Sequence, residues 1–218
     1  MVLKFEKFNV NTTRPTINGS TTSRYKEDLL RDTIKILTHK VLGLERELLK
    51  ALHFANHDLL TGLANRSLLR DRLLQAMHQA NRQHKQVGLL ILDLNGFKSI
   101  NDTHGHNVGD EILIQVAKRL SSCIRAEDSA YRYGGDEFVI LLPEVDGTSG
   151  ANELRSKLNI KLTRLYRIGM RRISASASIG IAVYPSDGKD QKELIKHADE
   201  NMYCAKTDGK GKLQNLPH

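Results

Sequence analysis

Arg132-Tyr133-Gly134-Gly135-Asp136-Glu137-Phe138 stands between two apolar runs, and its reading organises the rest of the chain. The two glycines let the backbone turn tightly and approach a ligand closely. Two adjacent carboxylates follow, then the strand-like Phe138-Val139-Ile140-Leu141-Leu142. A bare turn does not need two acids behind it. A turn that cradles phosphates and holds a divalent metal does. Residues 129–133 and 137–142 therefore read as two strands of a hairpin joined at Gly134-Gly135.

Outward from that hairpin, residues 87–94 form a continuous apolar run that ends at Asp93, the pattern of a central buried strand. A carboxylate at the end of such a strand is costly unless it is paired or bound to metal. If this strand lies beside the hairpin, Asp93 and Asp136 can share one metal, and magnesium takes oxygen ligands while keeping water and phosphate in its shell. Each acid alone is an ordinary solvated turn residue, and only the joint pattern points to chemistry. A third polar cluster pairs Asn101 with Asp110. His104 and His106 are two residues apart, which suits neither one helix face nor a zinc motif, so they read as structural.

With 218 residues, the chain has room for one ordinary domain and an appendage. Hydrophobic content of 39% with 27% charged residues describes a soluble globular protein. The absence of Trp and the scarcity of aromatics argue against a stacking platform for single strands. Cys123 and Cys204 have no CxxC spacing, so neither a zinc site nor a disulfide framework is indicated. No apolar stretch has the length of a signal peptide or membrane span, which predicts a cytoplasmic protein. The net charge of +8 favours anionic partners such as nucleotides, and equally serves solubility. Without a binding motif it does not make a nucleic-acid-binding protein.

Residues 1–23 are polar and read as a flexible tail, too short for an upstream sensor domain. Residues 24–56 read as a helix, with Leu30, Ile34, Leu37, Val41, Leu44, Leu48 and Ala51 in alternating steps of four and three. This is a heptad seam of about three repeats, the signature of a dimerising coiled coil. An amphipathic helix packed on its own domain is the plainer alternative. Residues 57–218 form the main domain. There Asn65 caps a helix reaching about His84, a short helical turn covers residues 97–100, and a helix covers 108–123. Residues 151–166 and 192–206 are further helices, 173–183 is a strand, and Leu213 starts a short final strand. Strands interleaved with helices predict an α/β (α+β) fold with a mixed central sheet flanked by helices.

From Asp58 to Lys212 the chain resembles the GGDEF domain of bacterial diguanylate cyclases. The resemblance rests on Asp58-Leu59-Leu60-Thr61-Gly62-Leu63-Ala64-Asn65-Arg66, the segment from Asp93 to Lys98, and Asn101 with Asp110. It rests also on the opening turn, Ser178-Ile179-Gly180, Ala198-Asp199 and Ala205-Lys206, in the right order and spacing. It implies that two GTP molecules condense to cyclic di-GMP plus pyrophosphate, each 3′-hydroxyl attacking the other's α-phosphorus. It implies that Asp93, the Leu94 carbonyl and Asp136 bind magnesium, with manganese as the alternative ion. Glu137 is the second acid, either a metal ligand or the base for the 3′-hydroxyl. Gly134 and Gly135 lie against the nucleotide, Phe97 is a further GTP-binding position, Asn101 and Asp110 match the guanine-recognising positions, and Lys98, Lys206 and Lys210 contact phosphates. The catalytic set is thus Asp136, Glu137 and Lys98.

Two departures stand out: Asn95 replaces a common Asp, and Lys210-Gly211 replaces Arg-Asn, which keeps the charge but loses the guanidinium fork. Arg125-Ala126-Glu127-Asp128 matches the family's RxxD inhibitory site, where product restrains the enzyme; an Arg fork suits the O6/N7 edge of guanine. A chance surface ion pair is the alternative. Because the reaction uses two GTP, two domains must face each other, and a shared helix raises their effective concentration. The expectation is a product-inhibited homodimeric cyclase. The alternative is a catalytically silent module that binds GTP or cyclic di-GMP.

Overall fold

The computed structural model describes residues 19–213, with side chains from 24 to 207. In chain order the elements are α1 (Gly19–Asn56), β1 (Ala64–Asn65), α2 (Arg66–Gln83), β2 (Val87–Asn95), α3 (Phe97–His104) and α4 (His106–Ser121). Then follow β3 (Ser129–Gly134), β4 (Glu137–Leu142), α5 (Gly147–Leu162), β5 (Tyr166–Ile168), β6 (Arg171–Ile173), β7 (Ser176–Tyr184) and α6 (Gln191–Leu213). The chain divides after Ala51 into two compact units, the first carrying most of α1. The expected tail lies outside the described residues as far as residue 18, and from Gly19 the chain is already helical.

The second unit is built on a five-stranded sheet in the order β1-β3-β4-β2-β7. Only β1 and β3 pair in parallel, so the sheet is mixed as expected. Strand β2 lies between β4 and β7, and residues 87–94 are all buried. Alternation along the strands divides the core in two. Leu90, Leu92, Phe138 and Ile140 face Ile112, Val116 and Leu158 of α4 and α5. Leu89, Ile91, Val139 and Leu141 face Leu69, Leu73, Leu194 and Ala198 of α2 and α6.

Asn65 caps α2 as expected, its side chain accepting from the Ser67 and Leu68 amides. Three expectations need correction. The helix before the second hairpin stops at Leu162, because Tyr166 turns into a separate two-stranded ribbon with Ile173 opposite it. The alternating run at 173–183 is two strands, with β6 in that ribbon and β7 in the main sheet. Leu213 ends α6 rather than starting a strand. The turn around Phe97 is also longer than expected, a full helix to His104.

Gly180 shows why α6 lies close against β7. A Cβ there would run into the Ala198 carbonyl and the Met202 amide, backbone atoms with nowhere to go. Replacing Gly180 with Ala is therefore expected to destabilise the domain by about 1–3 kcal/mol. Chemical denaturation measures it, and a variant as stable as the parent would show that α6 is free to move off the sheet.

Candidate active site

The register of β2 against β4 places Asp93 directly opposite Glu137, and that of β2 against β7 places it opposite Ser178. The hairpin turn is Gly135-Asp136, one residue later than expected: Gly134 pairs with Glu137, and Gly135 has φ +47°. That left-handed conformation favours glycine. The turn meets the sheet through a long bond from the Leu94 amide to the Asp136 carbonyl at 3.4 Å. Asp93, Asp136 and Glu137 thus meet at one end of the sheet.

The carboxylates of Asp93, Asp136 and Glu137 repel one another, and Lys206 from α6 supplies a cation. Its Nζ stands 2.6 Å from Asp93 Oδ1. Burial raises the Asp136 carboxyl above its ordinary value, and the nearby Asp93 charge adds to the rise. Burial likewise raises Glu137, with Asp93, Asp136 and Asp199 as further negative neighbours. Among the described residues, no three His, Cys, Asp or Glu side chains are already gathered as a metal cage. The donors suit instead a hard cation that takes two carboxylates and a backbone carbonyl and fills its shell with water and phosphate.

Asn95 is explained by its neighbours. Its Nδ2 donates to Ser176 Oγ (3.1 Å), and its Oδ1 accepts from Ser178 Oγ (2.9 Å). The amide binds β2 to β7 and adds no further charge beside Asp93.

Asn101 and Asp110 come from α3 and α4, which pack closely across Gly109. A Cβ on Gly109 would collide with Asn101 Oδ1 and touch the Phe97 ring. Asn101 Oδ1 is buried and accepts no hydrogen bond within the protein. An unsatisfied buried acceptor carries a desolvation cost that a donor relieves, and guanine presents such donors at its ring N–H and amino group. Asp110 and Lys98 are exposed. Lys210 lies in α6, and its side chain is outside the described residues.

Sequence reasoning missed what fixes the turn. Arg132 Nη1 donates to both Asp58 oxygens at 3.0 Å. The same guanidinium donates from Nε and Nη2 to the Gly135 carbonyl at 3.0 and 2.8 Å. Asp58 is held in turn by the Thr61 amide and hydroxyl. Arg132 therefore ties the Gly135-Asp136 turn to the loop before β1. The signal was present as Asp58-x-x-Thr61 and an Arg ahead of two glycines, but nothing in the sequence says that residues 74 apart meet.

Arg125 and Asp128 form a closed turn, with the Arg125 amide donating to Asp128 Oδ2 (3.0 Å) and the Asp128 amide to the Arg125 carbonyl (3.3 Å). Burial raises the Asp128 carboxyl. Both residues line a cavity of about 920 Å³ that Gln83, Lys85 and Glu144 share. It opens at the start of β3, whereas the Gly135 turn follows its end, about 20 Å of strand away.

Residues 55–212 match the family described as diguanylate cyclase, GGDEF domain. The chain belongs to the GGDEF-domain family. It is 44% identical over 175 residues to the bifunctional diguanylate cyclase/cyclic di-GMP phosphodiesterase MucR of Pseudomonas aeruginosa, covering 80% of this chain and 25% of MucR. It is 34% identical over 219 residues to the diguanylate cyclase DosC of Escherichia coli, covering 98% of this chain and 46% of DosC. It therefore spans a quarter to a half of the length of these relatives. The coiled coil and GGDEF domain of DgcB from Caulobacter crescentus, solved with cyclic di-GMP, superposes with a TM-score of 0.77 at 26% identity, covering 83% of this chain and 95% of that one. No helix among the described residues is long and apolar enough to cross a membrane.

The Asp58–Arg132 pair yields a stability prediction. Burial alone would raise the Asp58 carboxyl, but hydrogen bonds from Thr61 and Arg132 outweigh it and hold the group below its ordinary value of 3.8. A depressed folded-state pKa gives stability that is present above the unfolded value and is lost as pH falls through the folded one. Asp58→Asn should cost about 1–3 kcal/mol at neutral pH, with the gap to the parent closing below pH 3.8. Equal denaturation midpoints at neutral pH would contradict the brace.

Proposed function

We propose that this chain is an active diguanylate cyclase that works as a pair of identical copies and is restrained by its product. The observation that carries this reading is the meeting of Asp93, Asp136, Glu137 and Lys206 at one sheet end, with the unsatisfied Asn101 acceptor on the neighbouring helix pair.

Asp93, Asp136 and the Leu94 carbonyl would hold magnesium, which supplies charge neutralisation for the α-phosphate and the leaving pyrophosphate. Asn101 and Asp110 bind the guanine edge, and Gly109 leaves room for Asn101 to sit there. Lys98, Lys206 and Lys210 offset phosphate charge as pyrophosphate departs. Glu137, its carboxyl raised, is placed either to take the 3′-hydroxyl proton or to add a metal oxygen. One domain holds one GTP, so the bond-forming geometry needs a second domain opposite. Each 3′-oxygen then displaces pyrophosphate from the other GTP, and two such displacements close the ring.

The exposed seam on α1 supports pairing. Leu30, Ile34, Leu37, Val41, Leu44 and Leu48 are each more than half exposed in the single chain. Such a stripe suits a second copy of the same helix. Glutamates at Leu37 and Leu44 should lower the mass seen by light scattering and reduce turnover in dilute enzyme. Unchanged mass and turnover would remove α1 from the catalytic account.

Incubating the chain with GTP and magnesium tests the activity, read as cyclic di-GMP by mass. Asp136→Asn should abolish product, and retained turnover would sink the metal assignment. GTP bound without product at high protein concentration would favour the silent binding module. Arg125→Ala should leave initial rates in place and abolish the slowing of progress curves by added cyclic di-GMP; persistent slowing would place the inhibitory site elsewhere.

A further inference from the structure

The separate ribbon of β5 and β6 has an unusual surface. Tyr166 and Ile173 face each other and are buried, so the next pair, Arg167 and Arg172, faces each other on the opposite, exposed side. Like charges directly opposite on an antiparallel pair destabilise it. No carboxylate stands beside them in sequence. The sequence has no Asp or Glu between Glu153 and Asp187, while Lys161, Arg164, Arg167, Arg171 and Arg172 fall within that span. Among the described residues, none of the four arginines pairs with a carboxylate.

The ribbon is nonetheless firmly mounted. Arg119 lies 3.6 Å over the Tyr166 ring and donates to the carbonyls of Leu162, Arg164 and Leu165. Gln115 donates to the Arg167 carbonyl (2.9 Å), and Arg171 to the His104 carbonyl (3.3 Å). The tip turns at Gly169 and projects Met170, whose side chain is fully exposed. Leu165 at the start of the ribbon and Ile160 on α5 are 51% and 65% exposed.

We propose that this ribbon docks on an anionic phospholipid surface, with Arg164, Arg167 and Arg172 at the headgroups and Met170 entering the acyl boundary. Phosphate supplies the charge that the Arg167–Arg172 pair lacks. Exposed aliphatic side chains without an exposed aromatic on the ribbon match acyl chains better than nucleobases. Such contact is peripheral and is independent of cyclase activity.

The test is co-sedimentation of the full chain with phosphatidylcholine vesicles, with and without phosphatidylglycerol, at fixed ionic strength. Binding should require phosphatidylglycerol. Arg167→Gln with Arg172→Gln should weaken it about tenfold or more, and Met170→Ser several-fold. Arg70→Gln with Arg82→Gln removes the same net charge from α2 and should change it by less than about twofold. The ribbon variant should melt at or above the parent temperature, because it relieves a like-charge pair. Equal binding to both vesicle types, equal loss in the α2 control, or a lower melting temperature in the ribbon variant would overturn the proposal. Preferential binding of an oligonucleotide through Arg167 and Arg172 would also overturn it.

Discussion

The antiparallel register of β2 with β4 is the constraint on which the site depends, because it puts Asp93 across from Glu137 at one end of the sheet. A one-residue slip would send these side chains to opposite faces. Because β2 is buried on both faces, its register is held by packing rather than polarity: Leu90 and Leu92 fit against α4 and α5, and Leu89 and Ile91 against α2 and α6. The hydrophobic core thus sets the position of acids that repel one another. Lys206 offsets part of that repulsion from α6, and Gly180 lets α6 approach closely enough to do so.

The Gly135-Asp136 turn is the most exposed part of the arrangement, and it is held from outside the sheet. Arg132 takes two carboxylate oxygens from Asp58 with one nitrogen and gives its others to the Gly135 carbonyl. Strand β3 carries this turn at one end and the Arg125–Asp128 turn at the other. The cavity beside Arg125 and Asp128 and the Gly135-Asp136 turn thus lie at opposite ends of one strand.

The sequence was readable where chemistry and periodicity coincide. Asp93 at the end of an apolar run, two acids after two glycines, and Asn65 ahead of a helix each have a local physical reason. The family resemblance linked them before any contact was known. Readability failed where the cause is distant. Alternation at residues 173–183 cannot show that the chain leaves one sheet and joins another. The end of α5 is set by Arg119, which takes up its last carbonyls from another helix. Asn95 stood out in the sequence only as a departure from a common Asp, and its partners Ser176 and Ser178 lie on a strand about 80 residues away.

The central claim is that the aligned acids form a cation site completed by phosphate. Manganese titration followed by electron paramagnetic resonance, with a GTP analogue that cannot release pyrophosphate, tests it without relying on turnover. The account predicts stoichiometric manganese binding that depends on the analogue and is lost in Asp93→Asn, while Asp110→Asn retains the metal site. Manganese bound equally well by Asp93→Asn and the parent would contradict it.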